Sequence, residues 1–113
     1  MANAAIDKMA EDPVIINVSK QSDVADYFVI CSANSDRGVK TIADSIEDVL
    51  KDKKVKIIGI EGAQKMKWIL IDTADVVTHI FYTPLREFYD LEGLYIDSPR
   101  IGIPLSENIK ERN

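Results

Sequence analysis

Cysteine and histidine are almost absent from this chain, because Cys31 and His79 are the single residues of their types. A lone cysteine excludes a disulfide within the chain, which is typical of proteins from a reducing compartment. A structural zinc site usually needs four Cys or His ligands. We therefore expect neither a disulfide framework nor a zinc-stabilised fold.

Long apolar runs are also missing. No segment approaches the roughly 18 apolar residues that span a membrane, and residues 1–13 hold no apolar stretch of signal-peptide length. A cytoplasmic location is the resulting expectation. The 113 residues are 46% hydrophobic, which is enough for the core of one domain. We place that domain at residues 1–98 and a loose tail at residues 99–113, where prolines and a glycine interrupt the pattern.

Positive charge is in short supply, with 14 Lys and Arg against 19 Asp and Glu and a net charge of −5. An acidic domain repels phosphate backbones, so we expect no direct nucleic-acid specificity. A complementary potential would favour a basic protein partner. The alternative is that the charge only keeps the protein soluble.

The clearest local pattern is a strand that runs into a capped helix. Residues 27–31 form a continuous apolar run, which is typical of a strand buried on both faces. Ser35 is a good N-cap, and apolar residues then recur at helical spacing from Val39 to Leu50. This pattern predicts a helix over residues 36–52.

The remaining pattern is mostly of strands. We predict strands at residues 14–18, 55–60, 68–71 and 76–82, and a short helix from Pro84 to about Tyr89. The expected fold is α/β (α+β), with a mixed sheet of about five strands and one long helix packed on a face. The last three strands should form an antiparallel meander. The strand–loop–helix unit gives this fold a nucleotidyltransferase-like architecture.

Candidate catalytic residues are few, and each has a simpler explanation. Asp72 and Asp75 could bind a divalent cation, but Asp in a turn more often accepts backbone hydrogen bonds. Cys31 and His79 would need to meet across the sheet, whereas a free Cys is usually a buried core residue. The Gly-Ser pair and the Asp-x-Asp metal ligands of nucleotidyltransferases are missing. We expect no enzyme, and a metal-dependent nucleotidyltransferase is the less favoured alternative.

Residues 82–95, YTPLREFYDLEGLY, give the strongest indication of an interaction surface. One small sheet cannot easily bury so many aromatic and leucine side chains. Exposed tyrosines among acidic residues are typical of protein interfaces. The alternative is a short helix that packs its aromatics into the core, and each reading can hold for different residues. For Trp68 two interpretations likewise stay open, since it can be a core anchor or a contact residue.

Several motifs together resemble the ribosomal silencing factor family, also named Iojap-like. The resemblance covers about residues 5–99 and rests on the order and spacing of its parts. These parts are ADYFVI at 25–30, SDR-x-VK-x-IAD at 35–44, the strand from Trp68, D-x-x-DVV-x-H-x-F at 72–81 and R-x-FYDLE-x-L at 86–94.

Three positions depart from the family pattern. Gly38 stands where a Gln would complete a capping box with Ser35, so we expect a weaker helix start. The hairpin reads DTAD in place of D-Y-G-D, so a positive φ at Ala74 would be strained. Tyr95 replaces a Trp and keeps an aromatic anchor.

The resemblance implies a translational repressor that needs no cofactor. Such proteins bind the large ribosomal subunit through universal large-subunit protein fourteen and block joining of the small subunit. It also implies a part in late large-subunit assembly and a homodimer in the free state. An interaction module with a non-ribosomal partner is the alternative. The motifs and the exposed-aromatic argument together give nine contact residues: Trp68, Tyr82, Arg86, Tyr89, Asp90, Leu91, Glu92, Tyr95 and Asp97.

Overall fold

The computed structural model describes residues 10–101, which contain a mixed sheet of six strands. In chain order the elements are β1 (Glu11–Asn17), β2 (Tyr27–Ala33), α1 (Asp36–Asp52), β3 (Gly59–Glu61), β4 (Trp68–Asp72), β5 (Val76–Tyr82), α2 (Thr83–Tyr89), α3 (Leu91–Leu94) and β6 (Arg100–Ile101). The sheet order is β3-β4-β5-β2-β1-β6. Only the β2–β5 pair is parallel among these neighbours. The mixed α+β fold and the β3-β4-β5 meander are thereby confirmed.

Each face of the sheet carries its own buried cluster. On β2, Cys31 and Ala33 belong to the cluster that α1 covers. Phe28 and Ile30 belong to the cluster on the other face, against which α2 and α3 pack Leu85 and Leu91. Because β2 is covered on both faces, its apolar residues run without interruption, as the sequence predicted.

The long helix α1 has the predicted bounds and the predicted cap. The Gly38 backbone N–H donates to Ser35 Oγ at 3.0 Å. A Cβ at residue 38 would lie 3.0 Å from the Ala33 Cβ and 3.1 Å from Ser35 Oγ. Glycine therefore lets the first turn of the helix lie close to the end of β2. Within residues 10–101, no helix is long and apolar enough to cross a bilayer.

The largest differences between the predicted and observed strand bounds are at β1 and β3. β1 begins at Glu11 instead of residue 14, and a register shift between Glu11 and Val14 accommodates Pro13. β3 is confined to Gly59–Glu61, whereas the sequence predicted residues 55–60. The backbone N–H of Val55 donates to Leu50 O at 2.9 Å, so this residue closes the end of α1 instead of starting a strand.

The sheet has one more strand than predicted. Arg100–Ile101 pairs with β1, although the sequence assigned these residues to the loose tail. The backbone N–H of Asn17 also donates to Pro99 O at 2.8 Å and holds the segment beside β1. A strand of two residues is too short to show any periodicity. Residues 1–9 and the rest of the tail, residues 102–113, lie outside the described residues.

The β4–β5 hairpin holds Ala74 at φ +73, in the left-handed region. Asp72 accepts a hydrogen bond from the Ala74 backbone N–H at 2.9 Å, as expected of a turn carboxylate. A side chain with a Cβ is strained in this conformation, whereas glycine is not. The positive φ on which the expected strain at Ala74 depends is therefore confirmed.

We expect Ala74→Gly to stabilise the protein by about 1 kcal/mol, because glycine relieves the left-handed strain at a small entropic cost. The free energy of unfolding in urea measures this change. Ala63→Gly is the matched control, since Ala63 is a loop alanine outside the positive-φ residues. A gain at Ala63 as large as that at Ala74 would contradict the explanation.

Candidate interaction site

The helices α2 and α3 meet at Asp90, and residues 83–96 are termed the elbow. Asp90 has φ +47 and ends α2 as its C-cap. It also begins α3, because its carboxylate accepts from the Gly93 backbone N–H at 3.2 Å. Pro84 lies in the first turn of α2, where a missing N–H costs nothing. A single left-handed residue thus separates two short helices.

Arg86 fastens the elbow to the sheet, and its side chain is only 11% exposed. Its Nε donates to Glu92 Oε1 at 2.8 Å, which joins α2 to α3. Its Nη1 donates to Ser32 Oγ at 3.0 Å and to Glu11 O at 3.2 Å, and its Nη2 to Asp12 O at 2.8 Å. Hydrogen bonding to Arg86 holds the pKa of Glu92 below its usual range. The guanidinium therefore connects both helices with β1 and β2.

Arg86→Lys should lower the free energy of unfolding by about 1 kcal/mol, because an ammonium group cannot reproduce the planar set of donors. Chemical denaturation measures the loss. Arg37→Lys, at an exposed position of α1, is the matched control and should change little. Equal stability of the two variants would show that the guanidinium contacts contribute nothing.

The inner side of the elbow belongs to the core. Leu85, Leu91 and Tyr95 pack against the buried cluster on this face of the sheet. The ring of Tyr95 meets Phe28 edge-on, with 5.1 Å between centroids. For these three residues the core alternative is therefore the correct one.

A group of aromatic rings lies between the elbow and the sheet. Trp68 stacks on Phe81 at 4.7 Å between centroids and touches Tyr89 at 5.0 Å. Its indole Nε1 donates to His79 Nδ1 at 3.2 Å, while His79 Nε2 is buried and has no hydrogen-bond partner among residues 10–101. Burial lowers the pKa of His79 from 6.5 to about 4. His79 is thus a neutral core residue at pH 7.

The outer side of the elbow is apolar and exposed. Phe88 is 77% exposed, Tyr89 50%, Leu94 73% and Ile96 69%. These four residues are termed the elbow patch. Exposed carboxylates accompany it, at Glu87, Asp90 and Asp97. Large apolar side chains concentrated in nine residues of a small domain indicate an interaction site.

The structure sorts the nine contact residues predicted from the sequence. Tyr89 and Asp90 are exposed at the elbow, and Asp97 is exposed directly after it. Partly buried members of the elbow and its support are Trp68, Arg86, Leu91, Glu92 and Tyr95. Tyr82 lies apart from them, because its side chain packs on the α1 face of the sheet.

Sequence reasoning did not include Phe88, Leu94 or Ile96 among the contact residues. A signal was present in the run Leu94-Tyr95-Ile96, because three consecutive apolar side chains cannot all point into one core. Tyr95 points inwards, so its two neighbours remain exposed.

The structure does not bring Cys31 and His79, the candidate catalytic pair, together. Cys31 lies in the cluster under α1, whereas His79 contacts Phe28 and Trp68 on the opposite face. Burial also raises the pKa of the Cys31 thiol to about 12, which removes its nucleophilic form at neutral pH. Across residues 10–101, no group of three or more His, Cys, Asp or Glu side chains is placed to hold a metal.

Comparison with known proteins agrees with the motif pattern. A family model described as ribosomal silencing factor during starvation matches residues 1–113. The chain belongs to the ribosomal silencing factor family. This confirms the family inferred from the order of the motifs, and it places the chain among factors of ribosome-associated silencing.

Relatives in this family match most of the chain. Ribosomal silencing factor RsfS of Halalkalibacterium halodurans is 39% identical over 101 residues, which cover 89% of this chain and 86% of that protein. Its counterpart in Bacillus subtilis is 38% identical over 107 residues, covering 95% and 91%. An X-ray structure of a Chromobacterium violaceum protein superposes with a TM-score of 0.80 at 32% identity, covering 82% of this chain and 78% of that one.

Proposed function

We propose that this ribosomal silencing factor represses translation by binding the large ribosomal subunit and sterically blocking the small subunit. Its contact on the large subunit would be universal large-subunit protein fourteen. The observation that supports this proposal is the elbow patch, in which four exposed apolar side chains lie among exposed carboxylates. This composition suits a basic protein partner.

The parts of the elbow have separate roles in this proposal. The patch supplies the apolar centre that loses water on binding, and such centres contribute most of the affinity. Glu87, Asp90 and Asp97 supply a negative rim, which speeds encounter with a basic surface. Arg86 holds the elbow in place before binding, so little order has to be gained on docking.

Repression of this kind requires bulk and no chemistry. The domain measures 36 × 32 × 32 Å along its principal axes. A body of this size on the joining face of the large subunit would occupy the volume that the small subunit needs. A cytoplasmic location, late large-subunit assembly and a homodimer of the free protein belong to the same proposal. Exposed apolar patches favour self-association as well as docking.

Co-sedimentation in a sucrose gradient tests the proposal directly. The protein is mixed with purified large subunits, with and without small subunits. We expect it to travel with the large subunit and to reduce the peak of joined ribosomes. A protein that remains at the top of the gradient would favour the alternative, an interaction module with a non-ribosomal partner. If the protein travels with the large subunit but the peak of joined ribosomes does not fall, the binding is supported and the proposed block of subunit joining is refuted.

A further inference from the structure

Positive charge is concentrated in one turn of this acidic protein. Residues 51–56, KDKKVK, contain four lysines and one aspartate, so they carry +3 in a chain of net charge −5. All six residues are exposed. This segment, termed the lysine turn, consists of the last two residues of α1 and the four residues that follow.

The backbone of the lysine turn is fixed by hydrogen bonds. The Lys53 N–H donates to Val49 O at 3.0 Å, and the Val55 N–H donates to Leu50 O at 2.9 Å. Lys54 has φ +59, at the position after a helix where glycine is favoured. A lysine therefore occupies a strained position at which glycine would be more stable.

Most of the charge in the turn is not neutralised. Lys51 is 3.9 Å from Glu47, and this pair is exposed enough to contribute little. Over the part of the chain that the structure describes, no ion pair involves Lys53, Lys54 or Lys56. Three ammonium groups in one turn are thus available to an anionic partner.

The lysine turn and the elbow patch belong to opposite layers of the fold. The turn continues from α1, which covers one face of the sheet. The elbow packs on the other face through Leu85 and Leu91. The two surfaces can therefore contact two different components of a large assembly.

We propose that the lysine turn binds the phosphate backbone of ribosomal RNA, without base specificity, while the elbow patch docks on protein. This inference rests on the proposed function, which brings the chain to an RNA-rich particle. Net charge alone argued against nucleic acid. However, charges are screened beyond about 8 Å at physiological salt, so a phosphate at the turn responds mainly to the nearby lysines.

The test compares affinities for purified large subunits over a range of salt concentrations. The variant carries Lys53→Gln, Lys54→Gly and Lys56→Gln, and glycine at residue 54 suits the left-handed backbone. The plot of log K against log salt has a negative slope. Removing three phosphate contacts should make that slope shallower by about 2 to 3. We expect affinity at about 100 mM salt to fall at least tenfold. Circular dichroism verifies the fold of each variant.

A matched variant removes the same charge elsewhere. Lys20→Gln, Arg37→Gln and Lys40→Gln also change the net charge by −3, but they lie in the turn after β1 and in the first part of α1. This control should keep the wild-type slope. If both triple variants lose affinity equally, the effect is one of net charge and the proposal fails.

Ultraviolet cross-linking to the large subunit identifies the partner. We expect nucleotides attached to the peptide that contains residues 51–56. Loss of affinity with cross-links to protein alone would mean an acidic protein partner and would overturn the proposal. Wild-type affinity of the lysine variant would overturn it while leaving the proposed function intact. If the wild-type protein itself does not bind the large subunit, the proposed function fails and this inference falls with it.

Discussion

Replacing Phe88 and Leu94 together by serine is expected to weaken binding to the large subunit by about 4 kcal/mol, close to a thousandfold. Both side chains are more than 70% exposed, at 77% and 73%, so each is free to enter a pocket on the partner. Titration of labelled protein with purified large subunits measures the loss. The free energy of unfolding should stay the same, because neither side chain packs in the core.

The matched control for the double variant is Val24→Ser. Val24 is 75% exposed but lies outside the elbow, in the turn before β2. Its replacement removes exposed apolar surface without touching the patch and should not change affinity. Leu91→Ala provides a second comparison. Leu91 packs against the core, so this variant should lower the free energy of unfolding, unlike the Phe88 and Leu94 variant. Wild-type affinity of the Phe88 and Leu94 variant would remove the elbow patch from consideration as the docking site.

Lowering the pH from 7.5 to 5 is expected to reduce the free energy of unfolding by about 2 kcal/mol through His79 alone. Burial lowers the pKa of His79 from 6.5 to about 4. Between these values the unfolded chain binds a proton that the folded protein does not, so stability decreases as the pH falls. The contribution is fully present above pH 6.5 and is lost as the pH falls towards 4. Urea denaturation at a series of pH values measures the decrease.

His79→Phe should abolish most of this pH dependence. The variant loses the acceptor for the Trp68 indole N–H, so its stability at pH 7.5 need not equal that of the wild type. The slope with pH, and not the absolute value, is therefore the diagnostic quantity. Glu92 acts in the same direction, because its pKa lies below 4.5 when it is bound to Arg86, but its effect is confined to lower pH. An unchanged slope above pH 5 in the variant would contradict the assignment to His79.

The elements that the sequence predicted well have strong patterns and complete burial. α1 combines an N-cap at Ser35 with an unbroken apolar stripe, and β2 is apolar throughout because both of its faces are covered. The predictions for β3 and β6 were wrong because hydrogen bonds to neighbouring backbone determine where these two strands begin and end. Val55 belongs to the helix end although its side chain is typical of a strand, and Arg100–Ile101 is ordered by β1.

Composition predicts an interaction segment at residues 82–95, and that assignment stays a prediction. Composition alone does not reveal which side chains of the segment point outwards. The structure shows Leu85 and Leu91 packed against the core and Phe88 exposed, and the left-handed turn at Asp90 sets the direction in which α3 leaves α2. A left-handed aspartate at a helix junction gives no distinctive sequence signal.

Strand parity explains why Cys31 and His79 do not meet. The parallel register of β2 and β5 pairs Ile30 with His79 and Cys31 with Ile80. Adjacent residues of a strand point to opposite faces, so an offset of one residue places the thiol and the imidazole on different sides. The sequence placed both residues in strands, but it did not predict that these two strands are neighbours or in which register they pair.

The central pair of the sheet has a consequence for how the protein is made. β2 pairs with β5, so Tyr27 must find Val76 after most of the described chain has been synthesised. Contacts between such distant parts of a chain form late and slowly. The elbow follows β5 directly, so a polypeptide that stops before β5 lacks both β5 in the middle of the sheet and the elbow patch. Under the proposed function such a truncated product could not dock, and the ability to bind would arise only after residue 96 has been added.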